Sequence, residues 1–380
     1  MTTKQIVSLG IALFAMFFGA GNVVFPLDLG RVMGDSVPFA LLGIFLSGVL
    51  MPLIGVIACV LFEGNYKEFF RRIGYIPGEL LALVCMVTIG SLGAIPRTIT
   101  LSHASFSWYF PALPLWAFTI LAGILVLFFT LREGKIVDVI GKYLGPIKIF
   151  LLTAVIISGF FTSSELIHTD FTALQSFTMG LFEGYGTLDL LGAVFFAKLI
   201  ILSVGKEATR NKKVFITGLL KAGAIGAGLL GVIYSGFMIT SALHGSQVAI
   251  VGRDQLIFAL GDFLLGRLGI LVSFTVAIAC LTTAIALTAV FSDYVSNDLF
   301  RGKLSYKAAV IINVFITCAF ANLGFEGVMK VIVPIAFICY PAMIVLCLVN
   351  IAYKTVGFKP VKIPVYATLA FTTLRFIGWL

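Results

Sequence analysis

Residues 17–26 read FFGAGNVVFP and interrupt an apolar segment that runs from Ile6 to Leu29. The interruption contains two glycines, an asparagine and a proline. Glycine exposes the backbone and proline lacks an N–H donor, so a helix in lipid normally avoids this combination. Irregular backbone at membrane depth persists only where protein or a water-filled cavity satisfies it, and its free peptide groups can then bind small ions and zwitterions. The stretch therefore predicts a helix that is broken around a binding site.

The composition is that of an integral membrane protein. Hydrophobic residues make up 60% of the chain and charged residues 11%, with a mean hydropathy of +1.11, whereas soluble domains are about 25% charged. The net charge of +9 does not indicate a nucleic-acid partner, because the basic residues gather in alternate loops. The six cysteines lie within apolar segments without a C-x-x-C pair, so we interpret them as core residues.

Eleven segments are apolar and long enough to cross a bilayer, which takes about 20 residues of helix. Basic residues are concentrated in every second loop between them, and this asymmetry predicts a cytoplasmic N-terminus. The predicted spans cover residues 5–29 (broken), 37–62, 79–104, 112–131, 146–164, 171–204 (broken), 214–241, 264–291, 307–323, 326–353 and 361–379.

A second interruption divides the sixth span. Residues 181–189 read LFEGYGTLD and place Glu183, two glycines and Asp189 before the apolar run resumes at Leu190. Paired interruptions in corresponding spans are typical of transporters built from inverted repeats. The breaks fall in spans 1 and 6, and an odd number of spans inverts the second repeat. The fold class predicted is therefore all-α, with a first five-helix repeat over residues 1–164, a second over 171–353, and an additional helix over 361–380.

Three loops are long enough to carry structure of their own. Residues 63–77 and 132–145 mix basic and apolar residues, which favours short helices on the inner surface. The outer loop at about residues 243–262 is a candidate lid.

The candidate substrate-binding residues lie at the two interruptions. The exposed amides of the first are predicted to hold a carboxylate, although a kink or a close helix crossing is an alternative. Asp189 either attracts an ammonium group or caps the helix that begins at Leu190. The candidates are Gly19, Ala20, Gly21, Asn22, Gly184, Tyr185, Gly186 and Asp189.

Four further polar residues lie inside spans. Thr282 and Thr283 either bond to their own helix or offer oxygen ligands to a hard cation such as sodium. Arg97 and Lys198 are intramembrane cations, and such residues are functional candidates. Arg97 either pins span 3 or acts in a gate, and Lys198 either extends to the cytoplasmic surface or takes part in ion coupling. The histidines, His103, His168 and His244, fall at outer ends or loops, so neither a metal site nor catalysis is expected.

Five motifs, in this order along the chain, resemble the branched-chain amino acid:cation symporter family (BrnQ type). They are GAGNVVFP at residues 19–26, AIPRT at 94–98, GYGTLDLLGA at 184–193, ACLTTA at 279–284 and ANLGFEGVMKVIVPIAFICYP at 321–341. The resemblance covers nearly the whole chain.

The resemblance implies cofactor-free uptake of leucine, isoleucine and valine, coupled to sodium or protons, across a bacterial inner membrane. It implies a LeuT-like fold that unwinds at residues 19–22 and 184–186 around the substrate. A cation is expected between span 1 and an A-x-L-T-[ST] stretch of span 8. The ligands so implied are Ala279, Thr282 and Thr283, with the carbonyls of Ala15 and Phe18.

The sequence departs from the family in three places. The family usually has twelve spans, so we expect the last helix to be absent. Lys198 stands where an apolar residue is usual, which leaves the choice between sodium and a proton open. Glu183 stands where a neutral polar residue is expected.

Three other functions remain as alternatives. One is a proton-coupled or uncoupled transporter of another small neutral amino acid. A membrane-embedded transferase would need converging histidines or carboxylates at one interface, and a passive channel would need a continuous polar stripe. The sequence shows neither pattern, and it gives no indication of the oligomeric state.

Overall fold

The computed structural model describes residues 2–131, 145–162, 166–204 and 212–378, and the regular elements in these ranges are all helical. The first half contains α1 (Thr3–Phe17), α2 (Gly21–Met33), α3 (Val37–Phe45), α4 (Met51–Val60), α5 (Tyr66–Arg71), α6 (Tyr75–Ile89), α7 (Ala94–Ser107), α8 (Leu115–Leu131) and α9 (Gly145–Phe161). The second half contains α10 (Ala173–Gly186), α11 (Asp189–Val204), α12 (Lys212–Leu243), α13 (Leu256–Leu265), α14 (Gly269–Asp293), α15 (Tyr306–Ala321), α16 (Gly324–Val356) and α17 (Lys362–Ile377).

Several of these helices are apolar and long enough to cross a membrane. Five helical stretches in the described residues meet both conditions, and shorter apolar helices accompany them. The long stretches are Gly21–Val60, Tyr75–Ser107, Val214–Leu243, Leu256–Leu299 and Gly324–Val356. Their outward faces carry large apolar side chains, for example Phe161 at 87% exposure and Phe315 at 75%. Such a surface is stable only in contact with lipid, so the chain is a multi-pass membrane protein.

Both predicted interruptions are breaks in the structure. Helix α1 ends at Phe17, and α2 begins at Gly21. Helix α10 ends at Gly186, and α11 begins at Asp189. In the second break Leu188 has a φ of +66°, a left-handed conformation that costs an ordinary residue about 1–2 kcal/mol.

A third break was not predicted. The apolar run over residues 79–104 predicts one continuous span, but α6 ends at Ile89 and α7 begins at Ala94. Gly93 is required in the connection, because a Cβ atom there would lie 1.9 Å from the carbonyl oxygen of Thr88. The prediction was wrong because an apolar run with isolated glycines reads as a continuous helix. The break places Arg97 in the first turn of α7.

The predicted loop helices have different outcomes. The inner loop at residues 63–77 contains α5 as predicted. The outer loop at residues 243–262 includes the start of α13, whose residues 256–261 are buried. The predicted helix at 132–145 lies almost entirely outside the described residues.

The two halves of the chain pack against each other. Helices α1 and α2 lie on α12, while α10 lies on α3 and α11 on α4. Helix α7 packs on α14, α8 on α15, α9 on α12 and α14, and α16 on α4 and α7. Glycines allow the closest approaches: a Cβ atom at Gly180 of α10 would lie 2.0 Å from the Ala40 carbonyl oxygen of α3, and one at Gly30 of α2 would lie 2.2 Å from that of Met238 on α12.

We predict that Gly180→Ala destabilises the protein by about 1–3 kcal/mol, because the added methyl group forces α10 away from α3. The matched control is Gly228→Ala on α12, where a Cβ atom meets nothing within 4 Å and alanine favours the helix. Thermal unfolding in detergent should show a lower midpoint for the first variant only. Equal midpoints for the two variants would contradict this account of the helix contact.

Candidate functional site

Asn22 connects the two predicted breaks. It lies in the first turn of α2 and is 1% exposed. Its Oδ1 accepts a hydrogen bond from the backbone N–H of Gly19 at 2.8 Å, across the first break. Its Nδ2 donates to Oδ2 of Asp189 at 2.6 Å and to the hydroxyl of Tyr234 at 2.5 Å. One side-chain amide thus joins the first break, the start of α11 after the second break, and α12.

Asp189 is a buried carboxylate at the first position of α11. Its Oδ2 accepts the hydrogen bond from Asn22, and its backbone N–H donates to the hydroxyl of Thr187 at 3.4 Å. The sequence left it open whether Asp189 attracts an ammonium group or caps the helix. The structure turns its carboxylate towards Asn22 at the first break.

Arg97 occupies the second break. Its side chain comes from α7 and is 3% exposed. Nη1 donates to the carbonyl oxygen of Gly186 at 2.5 Å, and Nη2 donates to that of Thr187 at 3.1 Å. These are carbonyl groups that the end of α10 leaves without a partner in its own helix. Arg97 therefore stabilises the break in span 6, and the sequence did not indicate this partner.

The predicted substrate residues do not all face the same space. Nη2 of Arg97 is 2.8 Å from the position that a Cβ atom of Gly21 would occupy, so these residues are in contact. Gly184 packs against Ser47, which lies between α3 and α4 in span 2. The ring of Tyr185 stacks on that of Tyr340, with the ring centroids 4.7 Å apart. The structure brings together Gly19, Gly21, Asn22, Gly186 and Asp189. Ala20, between the first two of these, is the buried N-cap residue of α2.

Phe25 separates this buried layer from charged residues on the predicted outer side. A Cβ atom at Gly186 would lie 2.6 Å from the Phe25 ring. Above the ring, Arg253 pairs with Asp28 of α2 at 2.5 Å and with Glu183 of α10 at 2.9 Å. The unusual Glu183 thus has a partner in the outer loop. Asp28 was not singled out in the sequence, and Arg253 was noted only as part of the candidate lid, because the two residues are 225 positions apart.

Phe18, Gly19 and Ala279 border a small cavity between the first break and α14. Its volume of about 10 Å³ has room for about one water molecule. It is also lined by Val23, Leu152, Thr275, Val276 and Cys280. A leucine side chain needs far more room than this cavity offers.

The predicted cation ligands lie next to this cavity. The hydroxyls of Thr282 and Thr283 both donate to the carbonyl oxygen of Ala279, at 2.7 and 3.0 Å. The methyl group of Thr283 is 3.5 Å from the Cβ position of Gly19, and Ala15 lies in the last turn of α1. The hydroxyls bond to their own helix, as a threonine in a helix usually does. Each hydroxyl oxygen keeps lone pairs that can still bind a cation.

The remaining polar candidates lie apart from the site or outside the described side chains. The side chain of Lys198 is outside the described residues. Each histidine has a partner of its own away from the two breaks: His103 and His244 contact the carbonyl oxygens of Leu113 and Gly159, and His168 pairs with Asp35 at 2.6 Å. The hydrogen bond to Asp35 raises the pKa of His168, which is consistent with a structural pair at the outer surface.

Solved structures with the same architecture define the class of protein. The chain aligns with MhsT in complex with L-phenylalanine over 96% of this chain and 98% of that one, with a TM-score of 0.66 and 15% identity. It aligns with Mhp1, a nucleobase-cation-symport-1 family transporter in a closed conformation, over 98% and 92%, with a TM-score of 0.61 and 14% identity. The fold is therefore that of helical membrane transporters.

Within that class, the chain belongs to the branched-chain amino acid transport protein family, whose sequence model matches residues 2–378. It is 31% identical to the branched-chain amino acid permease BraB of Bacillus subtilis (strain 168) over 363 residues, which cover 93% of this chain and 81% of that protein. The resemblance found in the motifs is confirmed. Relatives are permeases and carriers, and this chain is a transporter and not an enzyme.

We predict that Asn22→Ala destabilises the protein by about 2–3 kcal/mol. The variant leaves the buried Asp189 carboxylate without its donor, and hydrogen bonds to charged groups contribute about 1.5–3 kcal/mol. The control is Asn297→Ala, whose amide also bonds to an aspartate, Asp293, but at the surface. Chemical unfolding in detergent measures both. A loss of stability at Asn297 as large as that at Asn22 would argue against the bridge.

Proposed function

We propose that this chain takes up branched-chain amino acids by cation-coupled alternating access. The observation that carries the proposal is the pair of broken helices joined at Asn22 in a member of this family. Free peptide groups at the two breaks suit a zwitterion, since helix N-termini attract carboxylates and bare carbonyl groups attract ammonium. The substrate site comprises residues 19–22, 184–186 and Asp189, with the apolar side chain against spans 1, 3, 6 and 8.

Helix packing supports two inverted repeats over residues 1–164 and 171–353. If span 1 corresponds to span 6 and span 2 to span 7, the contact of α1 and α2 with α12 corresponds to that of α10 and α11 with α3 and α4. The contacts of α9 with α12 and α14 correspond in the same way to those of α16 with α4 and α7. In each repeat, the broken helix thus packs against the other repeat. Helix α17 follows the two repeats as the proposed additional span.

Ion pairs on the two sides suit a transporter that is closed in this conformation. Arg253 joins α2 and α10 on the predicted outer side. On the predicted cytoplasmic side, Tyr66 and Lys67 of α5 both bind Asp298, which follows α14. Opening towards either side requires one of these sets to separate, as alternating access demands. The cytoplasmic N-terminus and the bacterial inner membrane remain parts of this proposal.

A cation site between α1 and α14 would couple transport to an ion gradient. The carbonyls of Ala15, Phe18 and Ala279 and the hydroxyls of Thr282 and Thr283 are oxygen donors of the kind that hard cations prefer. The ion is sodium or a proton. Another small neutral amino acid is the alternative substrate, because one methylene group contributes only about 1–3 kcal/mol to discrimination.

We predict that purified protein in liposomes accumulates radiolabelled leucine when an inward sodium or proton gradient is imposed, and that isoleucine and valine compete. Gly21→Leu should abolish uptake, because even a Cβ atom there lies 2.8 Å from Arg97. Gly228→Leu, at an open position, is the matched control. Accumulation that needs neither gradient would disprove cation coupling, and competition by alanine or serine alone would identify a different substrate.

We predict that Thr283→Val reduces sodium-stimulated uptake at least about tenfold, because valine keeps the shape but removes one oxygen ligand of the cation. Thr178→Val is the control, since Thr178 also bonds to its own helix but is exposed on α10. Uptake is measured against sodium concentration at constant pH. An unchanged sodium response in Thr283→Val would exclude this cation site.

A further inference from the structure

Arg97 is a buried charge with few partners. Its hydrogen bonds to the carbonyl oxygens of Gly186 and Thr187 use two of its N–H groups. Its Nε is buried and has no hydrogen-bond partner. A guanidinium has five N–H donors, and a buried charge is costly unless it is paired. Among the described residues, no carboxylate oxygen lies within 4.0 Å of a guanidinium nitrogen of Arg97, the distance that defines an ion pair.

The guanidinium lies against the start of α2. Nη2 is 2.8 Å and Cζ is 3.2 Å from the Cβ position of Gly21, the first residue of that helix. The first N–H groups of a helix lack partners within it and carry a partial positive charge. Two separate positive features, the N-terminus of α2 and an incompletely paired guanidinium, therefore meet at Gly21, and only an anion satisfies both.

A negative group is already present nearby, but it has another partner. Asp189 accepts the hydrogen bond of Asn22, and among the ion pairs of the described residues it has none with Arg97. The buried site thus holds one cation and one anion that do not pair directly with each other. This charge pattern is complementary to a zwitterion whose carboxylate faces Arg97 and whose ammonium group faces Asp189.

We propose that Arg97 binds the α-carboxylate of the substrate, together with the backbone N–H groups at the start of α2. The guanidinium keeps its bonds to Gly186 and Thr187 and offers its remaining donors to the carboxylate. Arg97 is then a specificity residue, because it requires an α-carboxylate on the substrate. Through its hydrogen bonds to Gly186 and Thr187 it also connects the bound substrate to the break in span 6. The inference deepens the proposed function and rests on it.

The test compares leucine with leucinamide, which keeps the ammonium group and the side chain but lacks the carboxylate charge. Binding of both is measured by competition against radiolabelled leucine and by thermal shift, on wild-type protein and on Arg97→Gln. We expect leucine affinity to fall about 10- to 100-fold, as for the loss of a charged hydrogen bond, while leucinamide affinity changes less than about threefold. Arg97→Lys, which keeps the charge but not the planar fork, should be intermediate.

The matched control is Arg267→Gln, an exposed arginine on the connection between α13 and α14, which should leave the ratio of the two affinities at the wild-type value. Equal losses for leucine and leucinamide in Arg97→Gln would assign Arg97 a purely structural role and overturn the proposal. Retained or improved leucine binding would overturn it too, since it would mean that the guanidinium only occupies the site. Wild-type protein that binds no leucine would disprove the proposed function itself, before any variant is compared.

Discussion

The structure depends on the side-chain amide of Asn22, which holds two interrupted helices together inside the membrane. In hydrocarbon a peptide group without a partner costs several kcal/mol, so a break needs internal donors and acceptors. Asn22 supplies both: its oxygen satisfies the Gly19 amide, and its nitrogen bonds to Asp189. Because these partners belong to different halves of the chain, the same contact that stabilises one break positions the other.

Arg97 and Arg253 stabilise two regions next to this contact, namely the end of α10 and the connection between α2 and α10. Arg97 donates to the carbonyl groups at the end of α10, and Arg253 joins α2 to α10 on the predicted outer side. Both guanidinium groups lie on the ring of Phe25, with Cζ 5.5 and 6.0 Å from its centroid. The ring therefore lies close to both the buried polar layer around Arg97 and the charged layer around Arg253. Phe25 and Asp28 both belong to α2, so a movement of this helix would alter both layers. It would thereby connect occupation of the site with closure of the predicted outer side.

The sequence predicted the features that local chemistry determines. Glycine, asparagine and proline in an apolar run predicted the first break, two glycines flanked by acidic residues predicted the second, and the run of motifs predicted the family. Contacts between distant residues left no local signal: Tyr234 is one tyrosine in a long apolar helix, yet it lies against Asn22. The break at Gly90–Gly93 was also missed, because isolated glycines in a transmembrane span are common. Threonine pairs and an intramembrane arginine each left two interpretations open, since their partners come from other helices.

The central claim is that a zwitterion binds between the two breaks. The most direct measurement is an electron cryomicroscopy structure of the full chain with leucine bound. The account predicts ligand density enclosed by residues 19–22, Gly186 and Asp189, with both breaks retained and the small cavity enlarged. Density for leucine at another place, or a regular helix through residues 17–26, would contradict it.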